Sequence, residues 1–444
     1  MVTGATPLQA FILVALVGGA LGGMIVFLDV GIAFLAPATL ATTLLVLLVG
    51  FMNPPAEGEY ARVLWWTLLS FAAHFVFGFT VTNAGGLVSS LLRAPDALTY
   101  NSLAIDITRH WTSDFPLPWL PSGKEGFYYL LAGLYWLFGF HAVAGLVVNA
   151  ALVAAVVPPV TDTTRRLFGA QAAARVPPIL VLLPSLMLWP SQLIKEAPVL
   201  FLVAVAANGA TRATERVSAG PLLAVAASMA LLLTLRAHVA LVLAGGIVAG
   251  IVVGRRQLLG GVGAGLSAAA LLVILLSFGV GYSGFDAAVN TDLRQAQVVR
   301  RDLAVTASSG YDADVDISTS QQALTYLPRG LLSFLVGPFP WQIRGVRQLP
   351  VVPDMMIWWA LLPSLWRGTR DGWRLLGRRS LVILLPAITT ACLLSLAIGN
   401  FGTLVRERMQ VVVLLVPVIA YGLAVGKGAG GEEREPEKQP MLTA

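Results

Sequence analysis

The sequence contains little charge and almost no cysteine. Only 12% of its 444 residues are Asp, Glu, Lys or Arg, half of the roughly 25% found in an ordinary soluble domain. The single cysteine, Cys392, excludes a disulfide framework within the chain and a multi-cysteine metal site. Since 57% of the residues are hydrophobic, the scarcity of charge indicates an integral membrane protein.

Several enzyme motifs are also missing. The chain has no Walker-type phosphate loop, no His-Glu-x-x-His pair, no Gly-x-Ser-x-Gly elbow and no Cys/His spacing of a zinc site. These absences argue against nucleotide-driven pumping by this chain alone, and no nucleic-acid partner is expected. The acidic stretch YDADVDIS (311–318) lacks the Gly and terminal Glu of a calcium loop, so we interpret it as a solvated loop.

Apolar runs long enough to cross a bilayer recur along the chain, and they are mostly Leu, Val, Ala and Gly. A barrel would show short alternating segments instead, so the spans are helical. The first run follows no basic region and precedes no small-residue cleavage site, and we interpret it as a retained span. We predict an all-α polytopic membrane protein of about twelve spans: 8–28, 31–51, 61–81, 142–160, 177–190, 197–210, 220–235, 238–253, 258–279, 353–366, 380–398 and 410–425.

The placement of arginine predicts the topology. If the aromatic segment 126–141, which is too short to cross, is re-entrant or interfacial, the short basic loops all fall on one side, and the positive-inside rule makes that side cytoplasmic. Both termini are then cytoplasmic. The arginines of these loops are Arg165, Arg166, Arg175, Arg212, Arg216, Arg255, Arg256, Arg367, Arg370, Arg374, Arg378 and Arg379.

This topology predicts a single transmembrane domain over 1–425, followed by a Gly- and charge-rich tail, 426–444, that we expect to be a disordered cytoplasmic extension. Two long polar segments, 82–125 and 280–352, fall on the external face. The chemically interesting residues collect on that face.

Asp96 is the first candidate for chemistry. If a helix starts at Pro95, Asp96 lies in its first turn, where the helix dipole favours a carboxylate. The alternative to this structural role is a general base at the membrane surface that takes a proton from an incoming hydroxyl. Tyr100 follows four residues later, and Asp106 is a second, weaker acid in the same loop.

Ionisable residues also interrupt the apolar runs. Lys195 and Glu196 lie at the turn between two short spans, and Arg236 and His238 break an otherwise continuous apolar stretch, 221–253. An Arg at such a position costs about 3 kcal/mol on insertion scales unless it reaches water, a phosphate or a carboxylate. We therefore expect a partner for Arg236, or else a turn whose charges extend outward into water.

Further cations lie on the same predicted face. The stretch GNFGTLVRERMQ (399–410) contains Arg406 and Arg408, and the Pro-broken segment 324–343, predicted to be re-entrant or amphipathic, contains Arg329. Arginine binds phosphate oxygens through two donors and stays charged. Residues i and i+2 face different ways on a helix, so at most one of Arg406 and Arg408 is expected at a phosphate. Glu125, next to Lys124 and an aromatic belt, is another candidate binding residue.

Taken in order, several of these stretches resemble the GT-C superfamily of polytopic glycosyltransferases. The resemblance is carried by PDALTYNSLAID, KEGFYYLLAGLYWLFG, AGLVVNAALVAAVV, TRRLFG, PSLMLWPSQLIKEAPVL, YLPRGLLSFLVGPFPW and GNFGTLVRERMQ, within about 90–410. It implies a GT-C-like bundle with re-entrant or juxtamembrane helices on the external face. The chain has Asp-Ala where many members have two adjacent acids, and two extra spans precede the loop.

The resemblance implies a transferase of a bacterial plasma membrane that moves a sugar from a polyprenyl-phosphate-linked donor to a glycan or lipid-linked acceptor. Asp96 would be the base or a metal ligand, and a divalent metal, Mg²⁺ or Mn²⁺, remains an option. Arg236, Lys195, Arg406 and Arg408 would bind the phosphate, and Glu196 would orient a lysine or a sugar hydroxyl. A single displacement would invert the anomeric carbon.

Two alternatives remain at this stage. A polymerase or ligase that moves a whole lipid-linked glycan would use the same cations. A transporter or flippase would also bind anionic lipids at the basic external clusters. However, the halves of the chain show no inverted repeat, and the charges gather at one face rather than at the midplane.

Overall fold

A computed structural model describes residues 31–428 except 53–57, 122, 256 and 344. This part of the chain is helical and contains no β-strand. The predicted span 8–28, Arg256 and residues 429–444 of the predicted tail lie outside the described residues. The fold class is therefore all-α, and its long apolar helices make it membrane-embedded.

The described residues form twenty α-helices. In chain order they are α1 (Gly31–Met52), α2 (Glu59–Asn83), α3 (Gly86–Leu92), α4 (Asp96–Thr112), α5 (Glu125–Phe138), α6 (Ala142–Ala154), α7 (Val157–Phe168), α8 (Ala170–Ala173), α9 (Val176–Leu182), α10 (Pro184–Leu188), α11 (Glu196–Glu215), α12 (Ala219–Leu233), α13 (Ala237–Gly254), α14 (Leu258–Ser277), α15 (Tyr282–Val289), α16 (Leu293–Thr306), α17 (Ser320–Val336), α18 (Val351–Leu376), α19 (Leu381–Ala397) and α20 (Phe401–Gly428). Single 3₁₀ turns occur at Pro340–Gln342, Val346–Gln348 and Gly377–Ser380.

Eight segments of the described residues are long and apolar enough to cross a membrane. They are Ala33–Met52, Glu59–Asn83, Ala142–Phe168, Glu196–Glu215, Ala237–Gly254, Leu259–Ser277, Val351–Ala397 and Phe401–Gly426. The segment Val351–Ala397 contains two helices, α18 and α19, separated at Gly377. α12, predicted as a span, is apolar but has only 15 residues.

The predicted span 177–190 is not one helix. It is divided into α9 and α10, because Leu183 adopts an extended conformation before Pro184. A proline disfavours helical geometry in the residue that precedes it, which explains the break at this position. The interrupted segment brings the following residues 190–195 back toward the interior of the bundle, where most of them are buried.

The predicted external loops are largely helical. In the first loop, α4 packs along α5, and Tyr100 contacts Phe127 and Tyr128 with ring centroids 5.0 and 4.9 Å apart. α5 has 14 residues, too few to cross a bilayer, which agrees with the prediction that 126–141 does not span. In the second loop, α17 begins with a capping box between Thr319 and Gln322 and packs against α19.

Paired charges occupy one end of the bundle, here named the hub end. The fully buried carboxylate of Asp162 on α7 accepts hydrogen bonds from Arg165 at 2.5 Å, Arg166 at 2.8 Å, Arg212 at 2.8 Å and Asn208 at 2.9 Å. Glu59 pairs with Arg165, and Glu215 pairs with both Arg166 and Arg379. Arginines of three predicted basic loops thus do lie at one end of the bundle, while the assignment of that end to the cytoplasm stays a prediction.

Small residues let α18 and α20 approach closely. Ser364, Gly368 and Gly372 form one stripe on α18, and a Cβ added at Gly368 would overlap the carbonyl group of Val418. A Cβ added at Gly422 on α20 would overlap the carbonyl group of Ser364. In a bilayer, where apolar burial between helices gains little over lipid contact, such backbone proximity is the main source of packing energy.

We expect the substitution Gly422→Ala to destabilise the protein by about 1–3 kcal/mol, the usual cost of overpacking, because the new methyl group overlaps the Ser364 carbonyl group. Thermal unfolding in detergent measures the effect. Gly245→Ala on α13 is the matched control, since its Cβ would meet no atom of the described residues within 4 Å. Equal melting temperatures for the two variants would contradict the role assigned to this helix contact.

Candidate active site

Four helices begin at the end of the bundle opposite the hub. α11 connects the two ends of the bundle, since Glu196 is its first residue and Glu215, which belongs to the hub end, is its last. Twenty residues of α-helix separate the two ends by about 30 Å. Asp96 opens α4, Arg236 directly precedes α13, and Arg406 lies in the second turn of α20. We name this the site end.

The local sequence explains why these charges are placed at helix starts. Asp96 follows Pro95, as predicted, and Glu196 follows Lys195, so that each acid lies in a first helical turn where the helix dipole favours a negative charge. Arg236 lies between α12 and α13, where the backbone leaves helical geometry, and its N–H donates to the carbonyl group of Leu232 at 2.7 Å, as in the last turn of a helix.

A chain of ion pairs connects these residues from the surface inward. Asp96 Oδ2 lies 2.8 Å from Arg406 Nη1, and Arg406 Nε lies 3.0 Å from Glu196 Oε1. The same Glu196 oxygen accepts a hydrogen bond from Arg236 Nη2 at 2.5 Å. Arg236 Nη1 contacts the carboxylate of Glu407. One carboxylate oxygen is therefore shared by two guanidinium groups.

Exposure falls steeply along this chain. The side chain of Asp96 is 48% exposed, that of Arg406 is 17% exposed and that of Glu196 is 4% exposed. Asp96 thus lies at the mouth of the site, while Arg406 connects it to a buried charge network. A ligand that approaches from outside meets Asp96 and Arg406 first.

Lys195 completes the network. Its Nζ donates to the carbonyl oxygen of Leu235 at 2.8 Å, and its side chain is buried. Burial, assisted by the positive charge of Arg236, lowers the pKa of Lys195. The site therefore contains the carboxylates of Asp96, Glu196 and Glu407, the guanidinium groups of Arg236 and Arg406, and the amine of Lys195.

Aromatic side chains border the entrance. Tyr100 is buried one turn after Asp96, against Phe127 and Tyr128. Burial, with the negative charge of Glu196 as the next cause, raises the pKa of Tyr100, so its phenol remains a neutral donor. The phenol of Tyr128 is affected in the same direction by burial and by Asp96, which raise its pKa.

Arg408 is not part of this network. Its guanidinium group donates to the carbonyl oxygens of Gly337 at 2.6 Å and Phe334 at 3.3 Å, at the end of α17. It also lies 3.6 Å from Asp354 on α18. Arg406 and Arg408 therefore face different neighbours, as expected for residues i and i+2, and Arg408 stabilises the carboxyl end of α17.

Three other predicted site residues lie apart from the network. His238 Nε2 pairs with the hydroxyl group of Thr291 at 2.8 Å, and Arg329 pairs with Asp312. Glu125 lies at the start of α5, where its Oε2 accepts from the N–H of Lys124 at 2.8 Å and its Oε1 accepts from the hydroxyl group of Ser283. These contacts give each of the three a structural partner, and none of them contacts Asp96, Glu196 or Arg406 among the described residues.

Sequence reasoning singled out the arginines and missed Glu407. The available signal was the requirement that a buried Arg236 have an anionic partner. Two carboxylates meet that requirement, Glu196 from the predicted turn and Glu407 from between the two arginines of α20.

The donor set at Asp96 does not fit a metal centre. Its charged partner is the guanidinium group of Arg406, and no group of three or more His, Cys, Asp or Glu in the described part of the chain is arranged to hold a metal ion.

No protein-family model matches the chain, and no curated protein matches it.

Glu196→Gln is predicted to leave Arg236 and Arg406 close together without the carboxylate they share. Removing one partner of a buried pair costs about 3–5 kcal/mol, so we expect a markedly lower melting temperature in detergent. Glu125→Gln, at a half-buried helix start and in no ion pair among the described residues, is the control and should melt close to the unsubstituted protein. A Glu196→Gln protein as stable as this control would contradict the bridging role.

Proposed function

We propose that the protein is a membrane glycosyltransferase of the GT-C type. It transfers a sugar from a polyprenyl-phosphate-linked donor to a glycan or lipid-linked acceptor at the external face of a bacterial plasma membrane. The proposed architecture has about twelve spans, including one before residue 31, and places both termini in the cytoplasm.

The position of the site supports this proposal. Asp96 and Arg406 lie where α4 and α20 begin, beside the short helix α5, at one end of the spanning helices. A polyprenyl chain would remain in the bilayer while its phosphate lies at this level. Exposed aromatic residues of α4 and α5, including Trp111 and Tyr129, suit a headgroup region.

Arg406 is the proposed phosphate ligand. Its fork of donors now contacts Asp96 and Glu196, and a phosphate group would take the place of the half-exposed Asp96 on Nη1. Glu196 would keep the guanidinium group oriented during this exchange. Arg236 supplies further positive charge from behind, in a buried environment where a charge acts strongly, and Lys195, whose pKa is lowered by burial, offers N–H donors beside it.

The released carboxylate of Asp96 is the proposed general base. It accepts the proton of the acceptor hydroxyl, whose oxygen forms a bond to the anomeric carbon of the donor sugar. The bond between that carbon and the phosphate oxygen breaks, and its electron pair leaves with the polyprenyl phosphate. Arg406 stabilises the charge that develops on the leaving group, and a single displacement inverts the anomeric centre.

The observation that carries the proposal is the pairing of an accessible acid with a fixed arginine at the mouth of a buried charge network. The proposed general base, Asp96, and the proposed phosphate ligand, Arg406, have to lie close together, because the hydroxyl nucleophile and the phosphate leaving group are on opposite sides of one carbon atom. A purely structural surface pair would not need the buried bridge through Glu196.

Asp96→Asn is expected to lower the rate of sugar transfer about 10²- to 10⁴-fold, the contribution of a general base, while binding of polyprenyl phosphate persists. Labelled polyprenyl-phosphate sugars and purified protein in lipid nanodiscs provide the rate, and native mass spectrometry provides the binding. Asp106→Asn, on the same helix and paired only with exposed Arg109, is the control and should retain activity.

Arg406→Gln is expected to reduce retention of polyprenyl phosphate about tenfold or more, because a charge-assisted contact is lost. Unfolding temperatures of all variants show whether each is folded. If Asp96→Asn transfers sugar as well as Asp106→Asn does, the proposed chemistry is wrong. If the lipid phosphate binds but crosses the membrane without reacting, a transporter accounts for the site instead.

A further inference from the structure

A cavity lies beside the start of α20. It has a volume of about 170 Å³ and is lined by Ser309, Gly310, Tyr311, Asp312, Gln342 and Phe401. Two of these residues belong to the acidic stretch 311–318, which sequence reasoning assigned to a solvated loop. At about 30 Å³ per water molecule the space holds five or six waters, well below the roughly 300 Å³ at which drug-sized ligand pockets begin.

We propose that this cavity, the acceptor cavity, binds one neutral sugar ring of the acceptor. The assignment of this sugar to the acceptor rests on the proposed function, whereas the sugar site itself is inferred from the chemistry of the residues that line the cavity. Phe401 lies five residues before Arg406 on α20, a rise of about 7.5 Å. Phe401 and Arg406 project from faces of α20 about 140° apart, so a sugar held there lies at the same end of the helix as the proposed phosphate ligand but beside another of its faces.

The polar groups of the cavity complement hydroxyl groups. Asp312 offers a carboxylate, Ser309 a hydroxyl group and Gln342 an amide. The Gln342 Oε1 accepts from the N–H of Phe339 at 2.8 Å, and its Nε2 has no partner among the described residues. The Asp312 carboxylate accepts hydrogen bonds, the Gln342 amide donates them, and the Ser309 hydroxyl does both. This set matches the hydroxyl groups of a sugar, each of which donates one hydrogen bond and also accepts.

Asp312 keeps acceptor capacity despite its existing contacts. One oxygen pairs with Arg329, and the other accepts from the Tyr326 hydroxyl group at 3.1 Å. A carboxylate has about four lone-pair sites, so both oxygens can accept again. These partners, with Arg300 on the Asp312 carbonyl oxygen at 3.1 Å, hold the acid in place.

The lining argues against charged or wholly apolar ligands. No Lys or Arg is among the residues described as lining the cavity, and Arg329, which pairs with Asp312, is largely exposed and outside the lining, so a phosphate would meet no cation of the walls. An apolar ligand would leave the Asp312, Ser309 and Gln342 groups without water or partner, at a cost for each. The paired rings of Tyr311 and Phe401, 4.4 Å apart, supply an apolar wall for the C–H face of a sugar.

Backbone hydrogen bonds make the cavity rigid. The N–H groups of Tyr311 and Phe401 donate to the carbonyl oxygens of Gly399 at 2.9 Å and Ser309 at 3.0 Å. The hydroxyl group of Tyr311 donates to the carbonyl oxygen of Ile398 at 2.9 Å. A weakly binding ligand such as a single sugar benefits from walls that are ordered before it arrives.

The test uses the protein in nanodiscs with a panel of methyl hexosides and pentosides, observed by saturation-transfer NMR in the absence of donor. Gln342→Glu preserves the oxygen that accepts from Phe339 and removes the unpaired amide donor; Gln342→Leu removes both. We expect a bound sugar whose Kd rises about tenfold in each variant, the effect of one lost hydrogen bond. Gln321→Leu, exposed on α17, is the control and should bind as the unsubstituted protein does.

Transfer kinetics separate this inference from the proposed function. The inference predicts that Gln342→Leu raises the acceptor KM and leaves polyprenyl-phosphate binding unchanged. If no sugar of the panel binds, or Gln342 variants bind as well as the control, the acceptor cavity is disproved even where sugar transfer occurs. If a sugar binds in a Gln342-dependent way but no donor reacts, the proposed transferase fails, and the acceptor role is overturned with it.

Discussion

The architecture of the site end depends on the carboxylate of Glu196. A guanidinium group buried in a membrane protein is tolerated only with a partner, and here one oxygen accepts from Arg236 and lies within pairing distance of Arg406. Because these residues belong to α11, α20 and the start of α13, the shared anion links three helices. Asp96 joins α4 to the same network through Arg406.

The two ends of α11 use buried charge differently. At the hub end, the Asp162 carboxylate is surrounded by arginines and by Asn208, and none of its surface is left for a ligand. At the site end, the chain of pairs ends in Asp96, whose carboxylate reaches water. A closed network stabilises helix ends, whereas an open one can exchange a partner for an incoming anion. This difference in exposure is the reason for placing the proposed chemistry at the site end.

Much of the fold followed from simple patterns in the sequence. The apolar runs, the helix start at Pro95 and the break at Arg236 were predictable because each depends on local residue type. The division of 177–190 into two helices was harder to foresee. Pro184 disfavours helical geometry at Leu183, and a count of apolar residues does not register that effect. The co-location of Asp96, Glu196 and Arg406 was expected only as a shared face, and the distances required the fold.

Long-range pairing explains what sequence reasoning missed. The stretch 311–318 has the composition of a solvated loop, yet the N–H of Tyr311 donates to the carbonyl oxygen of Gly399, and Tyr311 and Asp312 line the acceptor cavity. Glu407 was overlooked because its neighbours are arginines, and only the helix rotation shows that it faces Arg236. The direction of Arg408 likewise depends on where α20 begins.

The opposed directions of Arg406 and Arg408 limit the motion of α20. Two residues along a helix correspond to a turn of about 200°, so one guanidinium group is anchored to Glu196 and the other to the end of α17. A rotation of α20 about its own axis would break contacts on both sides at once. Two independent anchors, on α11 and at the end of α17, therefore fix the orientation of Arg406.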